Sequence, residues 1–211
     1  MILHGYWRSG ASYRVRIGLA LKGLGYDLSA HDLRKGEQKQ ADYLALNPQG
    51  MVPALQDGDL VITQSPAILE WLEETHPEPA LLPNTANDRA IVRAMAALIG
   101  CDIHPLNNLR VLKSLRHDFN ADQDAVDAWA ARWIAPGFDA LETLVKQHGH
   151  GWSFGDAPSL VDCYLIPQLY SARRFNIDLS PWPVLLAVEE RANAHPAFVS
   201  AHPDRQPDAD A

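Results

Sequence analysis

Cysteine is scarce in this chain, and the scarcity bears on where the protein works. The 211 residues include only two cysteines, Cys101 and Cys163, which lie far apart in helix-like segments. Two such thiols do not make the framework of bridges that stabilises small secreted domains. The first residues also lack the basic and apolar regions of a signal peptide. We therefore expect a protein of the cytoplasm whose cysteines belong to its core.

Long apolar runs and an excess of positive charge are absent as well. No apolar run reaches the length of about 20 residues that a transmembrane helix needs, so no membrane partner is expected. The formal net charge is −8, which disfavours nucleic acid as a partner because a phosphate backbone requires a basic surface. A small anionic substrate remains compatible with this charge, since a few arginines suffice to form a positive pocket.

The histidines follow no metal-binding pattern. Nine are present, but none belongs to a His-Glu-x-x-His sequence. His148 and His150 are close in sequence but have no third ligand beside them, whereas a zinc site uses at least three protein ligands. The sequence therefore predicts no metal site.

Strands and helices alternate in the first part of the chain. A strand is expected at Met1–Trp7, a helix at Ser12–Leu24 and a second strand at Tyr26–Leu33. The β-α-β-α-β-β-α order, with a right-handed crossover in its parallel half, is typical of a thioredoxin-like domain, which we place at residues 1–80. The remaining elements of this domain are an irregular helix at Gln38–Leu46, a hairpin of Ala54–Gln56 and Leu60–Thr63 around Asp57-Gly58-Asp59, and a helix at Ser65–Thr75.

The rest of the chain is predicted to be helical. Residues Glu78–Asn87 are rich in proline and polar side chains, as a linker is, so the second domain is placed at 87–211. A Ser-x-x-Asp sequence from Ser159 to Asp162 predicts a helix cap with a role in folding. The last residues, Pro203–Ala211, are expected to form a surface tail. Helices are expected at Asp88–Ile103, Val126–Gln147, Ser159–Phe175 and Val184–Asn193.

The stretch Trp7–Leu19 has the composition of an anion site. Ser9, Gly10 and Ala11 form a turn between the first strand and the first helix, and their small side chains let a ligand approach the backbone. The N–H groups and the dipole at a helix start favour an anion. Redox proteins of the thioredoxin fold carry Cys-x-x-Cys at this turn, whereas this chain has Ser-Gly-Ala-Ser. Without a thiol of its own, the site is expected to receive one from a bound cofactor.

The sequence from Ser9 to Leu19 is similar to the signature of the zeta-class glutathione S-transferases, Ser-Ser-Cys-Ser followed by x-Arg-Val-Arg-Ile-Ala-Leu. Gly10 and Ala11 depart from that signature, so any role of the second serine and of the cysteine is absent here. The resemblance implies the cytosolic glutathione S-transferase fold, an α/β thioredoxin-like domain followed by an all-α domain, in a homodimer that binds glutathione. Further matches are Ala45-Leu46-Asn47-Pro48, Val52-Pro53, Gln64-Ser65, Leu69–Glu74, Pro105–Leu109, Arg174-Phe175 and His202–Pro207.

The resemblance implies which residues hold the thiol of glutathione. Ser9 is assigned to the sulfur, with the backbone N–H groups of Gly10 and Ala11 as further donors that lower the thiol pKa. An ordinary helix cap is the alternative interpretation of Ser9. His104 and Asn108 are placed near glutathione, and His104 is expected to hydrogen-bond the cofactor or to move a proton, unless it is only a helix-end histidine.

The rest of the glutathione molecule is assigned to two further segments. Gln64 and Ser65 begin the third helix, and the resemblance implies that this helix start binds the γ-glutamyl group. Val52-Pro53 occupies the position where this fold has a cis proline, which leaves the Val52 backbone to pair with the cysteinyl part. Gln49 is a further candidate from the same loop.

Arginines are the candidates for binding the carboxylates of the substrate. A planar guanidinium grips a carboxylate with two hydrogen bonds, and Arg8, Arg110 and Arg174 are the arginines expected to do so. The alternative for each is a surface position or a structural ion pair. Arg14 and Arg16 belong to the signature but point away from the turn, so they are expected to be structural.

The activity that the resemblance implies is a glutathione-dependent cis–trans isomerisation in the degradation of aromatic compounds. A maleyl keto-dicarboxylate becomes its fumaryl isomer, with Ser9, Arg8 and His104 as the expected catalytic residues. The altered Gly10-Ala11 turn and Arg110 favour maleylpyruvate over maleylacetoacetate, the intermediate of tyrosine and homogentisate breakdown. Two other classes stay open, a glutathione transferase or dehalogenase of small α-halo acids and a non-catalytic transferase-like interaction module. The complete set of glutathione-site residues argues against the module.

Overall fold

The computed structural model describes residues 1–210, and two compact units divide the chain. The first unit consists of Met1–Leu81 together with the C-terminal segment that begins at Asn193, and the second unit is Leu82–Ala192. The predicted domains were 1–80 and 87–211, so the difference lies in the C-terminal segment. That segment packs with the first unit because its helix Pro196–Ala201 lies against the first helix of the chain, Gly10–Leu21.

A mixed four-stranded sheet forms the centre of the first unit, with the strand order β2-β1-β3-β4. β1 and β2 are parallel, whereas β3 is antiparallel to both of its neighbours. The parallel pair with its helical crossover and the antiparallel hairpin confirm the thioredoxin-like arrangement. The strands are β1 (Ile2–Gly5), β2 (Asp27–Ala30), β3 (Ala54–Asp57) and β4 (Leu60–Thr63).

Helices make up most of the remaining structure in residues 1–210. The helices are α1 (Gly10–Leu21), α2 (Ala41–Leu46), α3 (Ser65–Thr75), α4 (Ala86–Ala97), α5 (Leu109–Asp118), α6 (Gln123–His148), α7 (Leu160–Arg174), α8 (Pro183–Ala194) and α9 (Pro196–Ala201). α1 is buried continuously from Ser12 to Leu19 because α3 and α9 both pack against it. Measured against the thickness of a bilayer, none of these described helices is at once long and apolar enough to span it.

The C-terminal residues lie at the surface, as predicted, but they pack within the first unit and do not form a free tail. Pro203 and Gln206 are buried, and the Gln206 amide donates to the Ser200 carbonyl over 3.0 Å. The Asp208 carboxylate accepts a hydrogen bond from the Trp7 backbone N–H over 2.9 Å. The polar composition of this segment suggested solvent, but the side chains of Gln206, Asp208 and Asp210 are used in contacts with the protein. Ala211 lies outside the described residues.

The second unit is entirely helical, as predicted. One helix was missed: α5 has Leu112 as its only buried residue, although Leu109, Leu112 and Leu115 recur at the spacing of an amphipathic helix. α7 begins as expected, because the Asp162 carboxylate accepts hydrogen bonds from the Ser159 backbone N–H over 2.7 Å and from its hydroxyl over 2.9 Å. Asp162 also accepts from the Ser153 backbone N–H over 3.0 Å. This fully buried capping box confirms the structural role predicted for the pair.

Candidate active site

The register of the sheet brings three segments of the first unit together. His4 of β1 lies opposite Ala54 of β3, and Ala54 lies opposite Thr63 of β4. The residues just before β3, just after β1 and just after β4 therefore meet at one end of the sheet. These segments carry the predicted glutathione residues: the turn with Ser9, Gly10 and Ala11, the loop with Gln49, Val52 and Pro53, and the start of α3 with Gln64 and Ser65.

Ser9 is the N-cap of α1 and is partly exposed. Its Oγ accepts a hydrogen bond from the Ser12 backbone N–H over 3.2 Å, so the capping interpretation is correct. A capping hydroxyl uses a lone pair and keeps its proton for donation, so Ser9 is able to cap the helix and to donate to a ligand. Gly10 and Ala11 begin the helix, where backbone N–H groups have no helical acceptor. The turn thus presents hydrogen-bond donors of the kind that an anion needs.

The loop before β3 is shaped by Asn47, which was not predicted as a site residue. Asn47 is buried, its amide donates to the Met51 carbonyl over 2.6 Å, and its carbonyl oxygen accepts from the Gln49 backbone N–H over 3.1 Å. The Tyr43 hydroxyl donates to the same Met51 carbonyl over 2.7 Å. The following Val52–Pro53 bond is cis. The signal for Asn47 was present, because Asn side chains commonly bond to the backbone two residues ahead in turns.

Gln64 and Ser65 stand at the start of α3, where Gln64 contacts the loop before β3 and Ser65 contacts α1. Gln64 has a φ of 71°, which is uncommon for a residue other than glycine and is concentrated at ligand sites. Its amide donates to the Gln49 side-chain oxygen over 2.5 Å, so these two predicted residues are in contact. The buried Ser65 hydroxyl accepts from Arg14 over 3.5 Å. Arg14, predicted to be structural, therefore adds positive charge at a helix start suited to a carboxylate.

Arg8 and Arg16 both contact Trp7, at the start of the turn. The Arg8 guanidinium carbon lies 5.3 Å from the centroid of the Trp7 ring, and the residue is partly exposed. Arg16 is 1% exposed and donates to the Trp7 carbonyl over 2.8 Å and to the Ala201 carbonyl over 2.9 Å. The structural role predicted for Arg16 is confirmed, and it consists of holding the turn that carries Arg8.

The other four predicted residues belong to the second unit. His104 begins a 3₁₀ turn and is partly exposed, whereas Arg110 in the first turn of α5 and Arg174 at the end of α7 are exposed. Asn108 caps α5, since its side-chain oxygen accepts from the Val111 backbone N–H over 3.2 Å. The assignment of these four to glutathione or to substrate stays a prediction.

Two histidines lie beside the tyrosine that orders the loop before β3. His4 Nδ1 and His31 Nε2 are 3.1 Å apart, and the His31 ring centroid lies 4.3 Å from that of Tyr43. Burial, and to a smaller extent His4, lowers the pKa of His31 below its ordinary value, while Glu37 opposes this shift. Protonation of His31 is therefore disfavoured by the folded protein.

We expect the free energy of unfolding to decrease as the pH falls below about 6.5, the ordinary pKa of histidine. The unfolded chain binds a proton there more readily than the folded chain, so the stabilisation is fully present above that pH and is lost as the pH falls toward the lowered pKa. Urea unfolding at several pH values measures this, and His31→Gln should reduce the dependence. His117→Gln, at an exposed histidine of α5, is the control. An unchanged pH dependence in His31→Gln would contradict the assignment.

Comparisons with known proteins agree with this geometry. The chain matches the N-terminal domain of glutathione S-transferases over residues 8–75 and their C-terminal domain over residues 123–191. It is 52% identical to a maleylpyruvate isomerase of Ralstonia sp, covering 99% of this chain and 100% of the relative. A holo structure of maleylpyruvate isomerase, described as a bacterial zeta-class glutathione S-transferase, has a TM-score of 0.98 at 51% identity, with 100% of both chains covered.

A second structure is similar to this chain and contains a ligand. The maleylacetoacetate isomerase of Anaeromyxobacter dehalogenans, with glutathione bound in its active site, has a TM-score of 0.90 at 50% identity, covering 99% of this chain and 97% of that one. The order of strands, the cysteine-free turn before α1 and these matches along the whole chain lead to one conclusion. This chain belongs to the glutathione S-transferase family, in its zeta class.

Proposed function

We propose that this chain is a glutathione-dependent cis–trans isomerase that converts a maleyl keto-dicarboxylate, with maleylpyruvate favoured, to its fumaryl isomer. The proposal rests on the turn before α1, where Ser9 and the start of the helix form a site for a thiolate. Redox proteins of the thioredoxin fold have cysteines at this turn, whereas this chain has none. The donors present fit glutathione, because Ser9 at the start of α1 is able to donate to its thiol, and the start of α3 beside Arg14 is suited to its γ-glutamyl carboxylate. Relatives named for both substrates support the reaction class.

The Ser9 hydroxyl lowers the pKa of the bound thiol by donating its proton toward the sulfur. A free thiol has a pKa of about 8.5, and helix starts with nearby donors lower such values to about 3.5–7.5. The N–H groups of Gly10 and Ala11 add to this effect through the dipole of α1. The protein thereby keeps the sulfur ionised near neutral pH without a cysteine or a metal ion.

Glutathione supplies the thiolate that adds reversibly to the substrate alkene, so that the carbon–carbon bond rotates before the thiolate leaves unchanged. The residues of this chain orient the substrate for that chemistry. Arg8, which follows the ordered Trp7, binds one carboxylate next to Ser9, and Arg110 and Arg174 bind the other. His104 moves a proton or hydrogen-bonds the cofactor. Gln49, Gln64, Ser65, Asn108 and the backbone of Val52–Pro53 hold the rest of glutathione.

The reaction itself is tested by ultraviolet absorbance of maleylpyruvate and of maleylacetoacetate, each with and without glutathione. We expect isomerisation only with glutathione, and a higher kcat/KM for maleylpyruvate, the substrate that the altered Gly10-Ala11 turn and Arg110 favour. The absence of any glutathione-dependent change for both substrates would contradict the isomerase. A higher kcat/KM for maleylacetoacetate would contradict the preference alone.

Replacing a substrate arginine by lysine should weaken substrate binding more than glutathione binding. Lysine keeps the charge but loses the bidentate geometry, so we expect Arg8→Lys, Arg110→Lys and Arg174→Lys each to raise the KM for maleylpyruvate by about tenfold, which corresponds to one charged hydrogen bond of about 1.5 kcal/mol. Steady-state kinetics with each reactant varied in turn measures this. Arg132→Lys on α6 is the matched control, and an unchanged KM in any of the three variants would remove that arginine from the substrate site.

The protein is proposed to be a homodimer of the cytoplasm with no nucleic-acid or membrane partner. The dimer follows from family membership, and the location from a sequence with too few cysteines for a framework of disulfide bridges. Cys163 is buried, as predicted, whereas Cys101 is exposed, so the prediction that both cysteines belong to the core was wrong for Cys101. Sedimentation equilibrium tests the dimer, and fractionation of the source cells tests the location.

A further inference from the structure

We propose that Asp208 is a positioning residue of the active site, whose carboxylate orients the Trp7–Ser9 turn and thereby the side chains of Arg8 and Ser9. The expected effects on catalysis rest on the proposed function. The contact itself belongs to the first unit and does not depend on that function. It gives a role to the C-terminal segment that the sequence predicted to be a surface tail.

The turn is held through the backbone on both sides of Trp7. Asp208 Oδ2 accepts from the Trp7 N–H over 2.9 Å, and Arg16 Nη2 donates to the Trp7 carbonyl over 2.8 Å. These two groups belong to the two peptide planes that flank Trp7, so the bonds restrict both of its soft backbone dihedrals. The direction in which the chain leaves Trp7 decides where Arg8 and Ser9 lie.

The hydrogen bond between the Trp7 N–H and Asp208 Oδ2 lies between two ordered groups. Trp7 as a whole residue is 8% exposed, so its surroundings exclude most of the water that competes for the N–H. On one side of Asp208, the Gln206 amide donates to the carbonyls of Ser200 and His202 over 3.0 and 2.9 Å. The carboxylate is therefore presented to the turn by an ordered segment.

The competing explanation is that Asp208 only attaches the C-terminal segment to the first unit, and Asp210 provides a control for this explanation. On the other side of Asp208, Asp210 forms an exposed ion pair with Arg34 at 2.5 Å. Asp210→Ala removes a carboxylate from the same segment and loosens its attachment, but it leaves the acceptor of the Trp7 N–H in place. Asp208→Asn keeps a side chain of the same length with an acceptor oxygen, but it removes the negative charge.

The experiment compares Asp208→Ala, Asp208→Asn and Asp210→Ala with the unmodified protein. Hydrogen exchange of the Trp7 amide, measured without glutathione, reports on the turn alone. Ultraviolet titration of bound glutathione gives the pKa of its thiol, and kinetics with maleylpyruvate give kcat and KM. A thermal unfolding midpoint for each variant shows that the chain is folded.

We expect Asp208→Ala to raise the exchange rate of the Trp7 amide at least tenfold, to raise the thiol pKa and to lower kcat by about 10- to 100-fold, since small displacements of catalytic groups have effects of this size. Asp208→Asn should restore most of all three values, and Asp210→Ala should match the unmodified protein. Where Asp208→Ala does not fold, Asp208→Glu takes its place, because one added methylene moves the carboxylate away from its position at the N–H.

Three results would overturn the proposal: unchanged exchange and thiol pKa in Asp208→Ala, equal effects of Asp208→Ala and Asp210→Ala, or an Asn variant as impaired as the Ala variant. The second result assigns the effect to tethering and the third assigns it to charge. Failure of the unmodified protein to isomerise either substrate would reject the proposed function instead. Amide exchange and thiol titration would still decide the role of Asp208.

Discussion

Ser9→Ala is expected to lower kcat by about 10²–10³, the effect of removing one preorganised donor from a developing or bound anion. The hydroxyl lies at the start of α1, where its oxygen accepts from the Ser12 N–H and its proton stays available for the sulfur. Loss of that proton raises the thiol pKa and reduces the thiolate fraction near neutral pH. The activity of the variant should therefore recover in part as the pH is raised, and a pH profile of kcat measures this.

Loss of the helix cap accompanies the loss of the donor in Ser9→Ala, and two further variants separate them. Removing an N-cap costs about 1 kcal/mol in the free energy of unfolding, which should leave the protein folded. Ser9→Thr keeps both the cap and the hydroxyl, whereas Ser9→Asn keeps the cap without the hydroxyl. We expect activity in the Thr variant and a large loss in the Asn variant. Full activity of Ser9→Ala would reject the role given to Ser9.

Lys22→Met is expected to lower the free energy of unfolding by about 3–5 kcal/mol, as removing one partner of a buried ion pair does. The Lys22 ammonium donates to Glu73 over 2.8 Å, to the His76 carbonyl over 2.7 Å and to the Pro79 carbonyl over 2.9 Å. The Lys22 side chain is fully buried and that of Glu73 is 8% exposed. The substitution leaves a buried carboxylate and two carbonyls without this donor, although the Leu81 N–H still bonds to Glu73.

Lys35→Met is the matched control for this prediction, because Lys35 is 71% exposed and lies 3.9 Å from Asp32. Exposed pairs contribute little to stability, so the control should unfold at nearly the same urea concentration as the unmodified protein. Lys22→Met combined with Glu73→Leu should lower the free energy of unfolding by less than the sum of the two single changes. The reason is that each single change leaves the other charged partner buried without its counter-ion. Equal midpoints for Lys22→Met and Lys35→Met would contradict the prediction.

Local sequence patterns were sufficient for most elements of the first unit. The helix at Ser65–Thr75 was predicted with its observed bounds, because a Ser-Pro start and a His-Pro end are both local signals. The hairpin around Asp57-Gly58-Asp59 was equally clear. α5 was missed although Leu109, Leu112 and Leu115 recur at helical spacing, because most of its other residues are polar or charged and no proline or glycine marks its ends.

Local patterns also predicted some residues of the candidate site, whereas the importance of others is visible only in the structure. Ser9, Gln64 and Ser65 were predicted because helix starts have recognisable residues, and the family resemblance outside the signature added Arg8 and Val52-Pro53. Asn47 and Asp208 were not found, because their importance comes from which backbone groups they contact. Asp208 bonds to a residue about 200 positions earlier in the chain, and no short-range pattern contains that information.

The amino-acid sequence by itself determined the class of chemistry: a turn of small residues without cysteine at a helix start, in a chain with the zeta-class signature. Hydrogen bonds within a few residues and the preferences of Ser, Pro and Gly act locally, so they are visible in the sequence. Only the tertiary structure decided how the turn is held. The register of β1, β3 and β4 brings three distant segments to one end of the sheet, and Arg16 and Asp208 hold Trp7 from two sides. Those contacts depend on the path of the whole chain, which no single segment specifies.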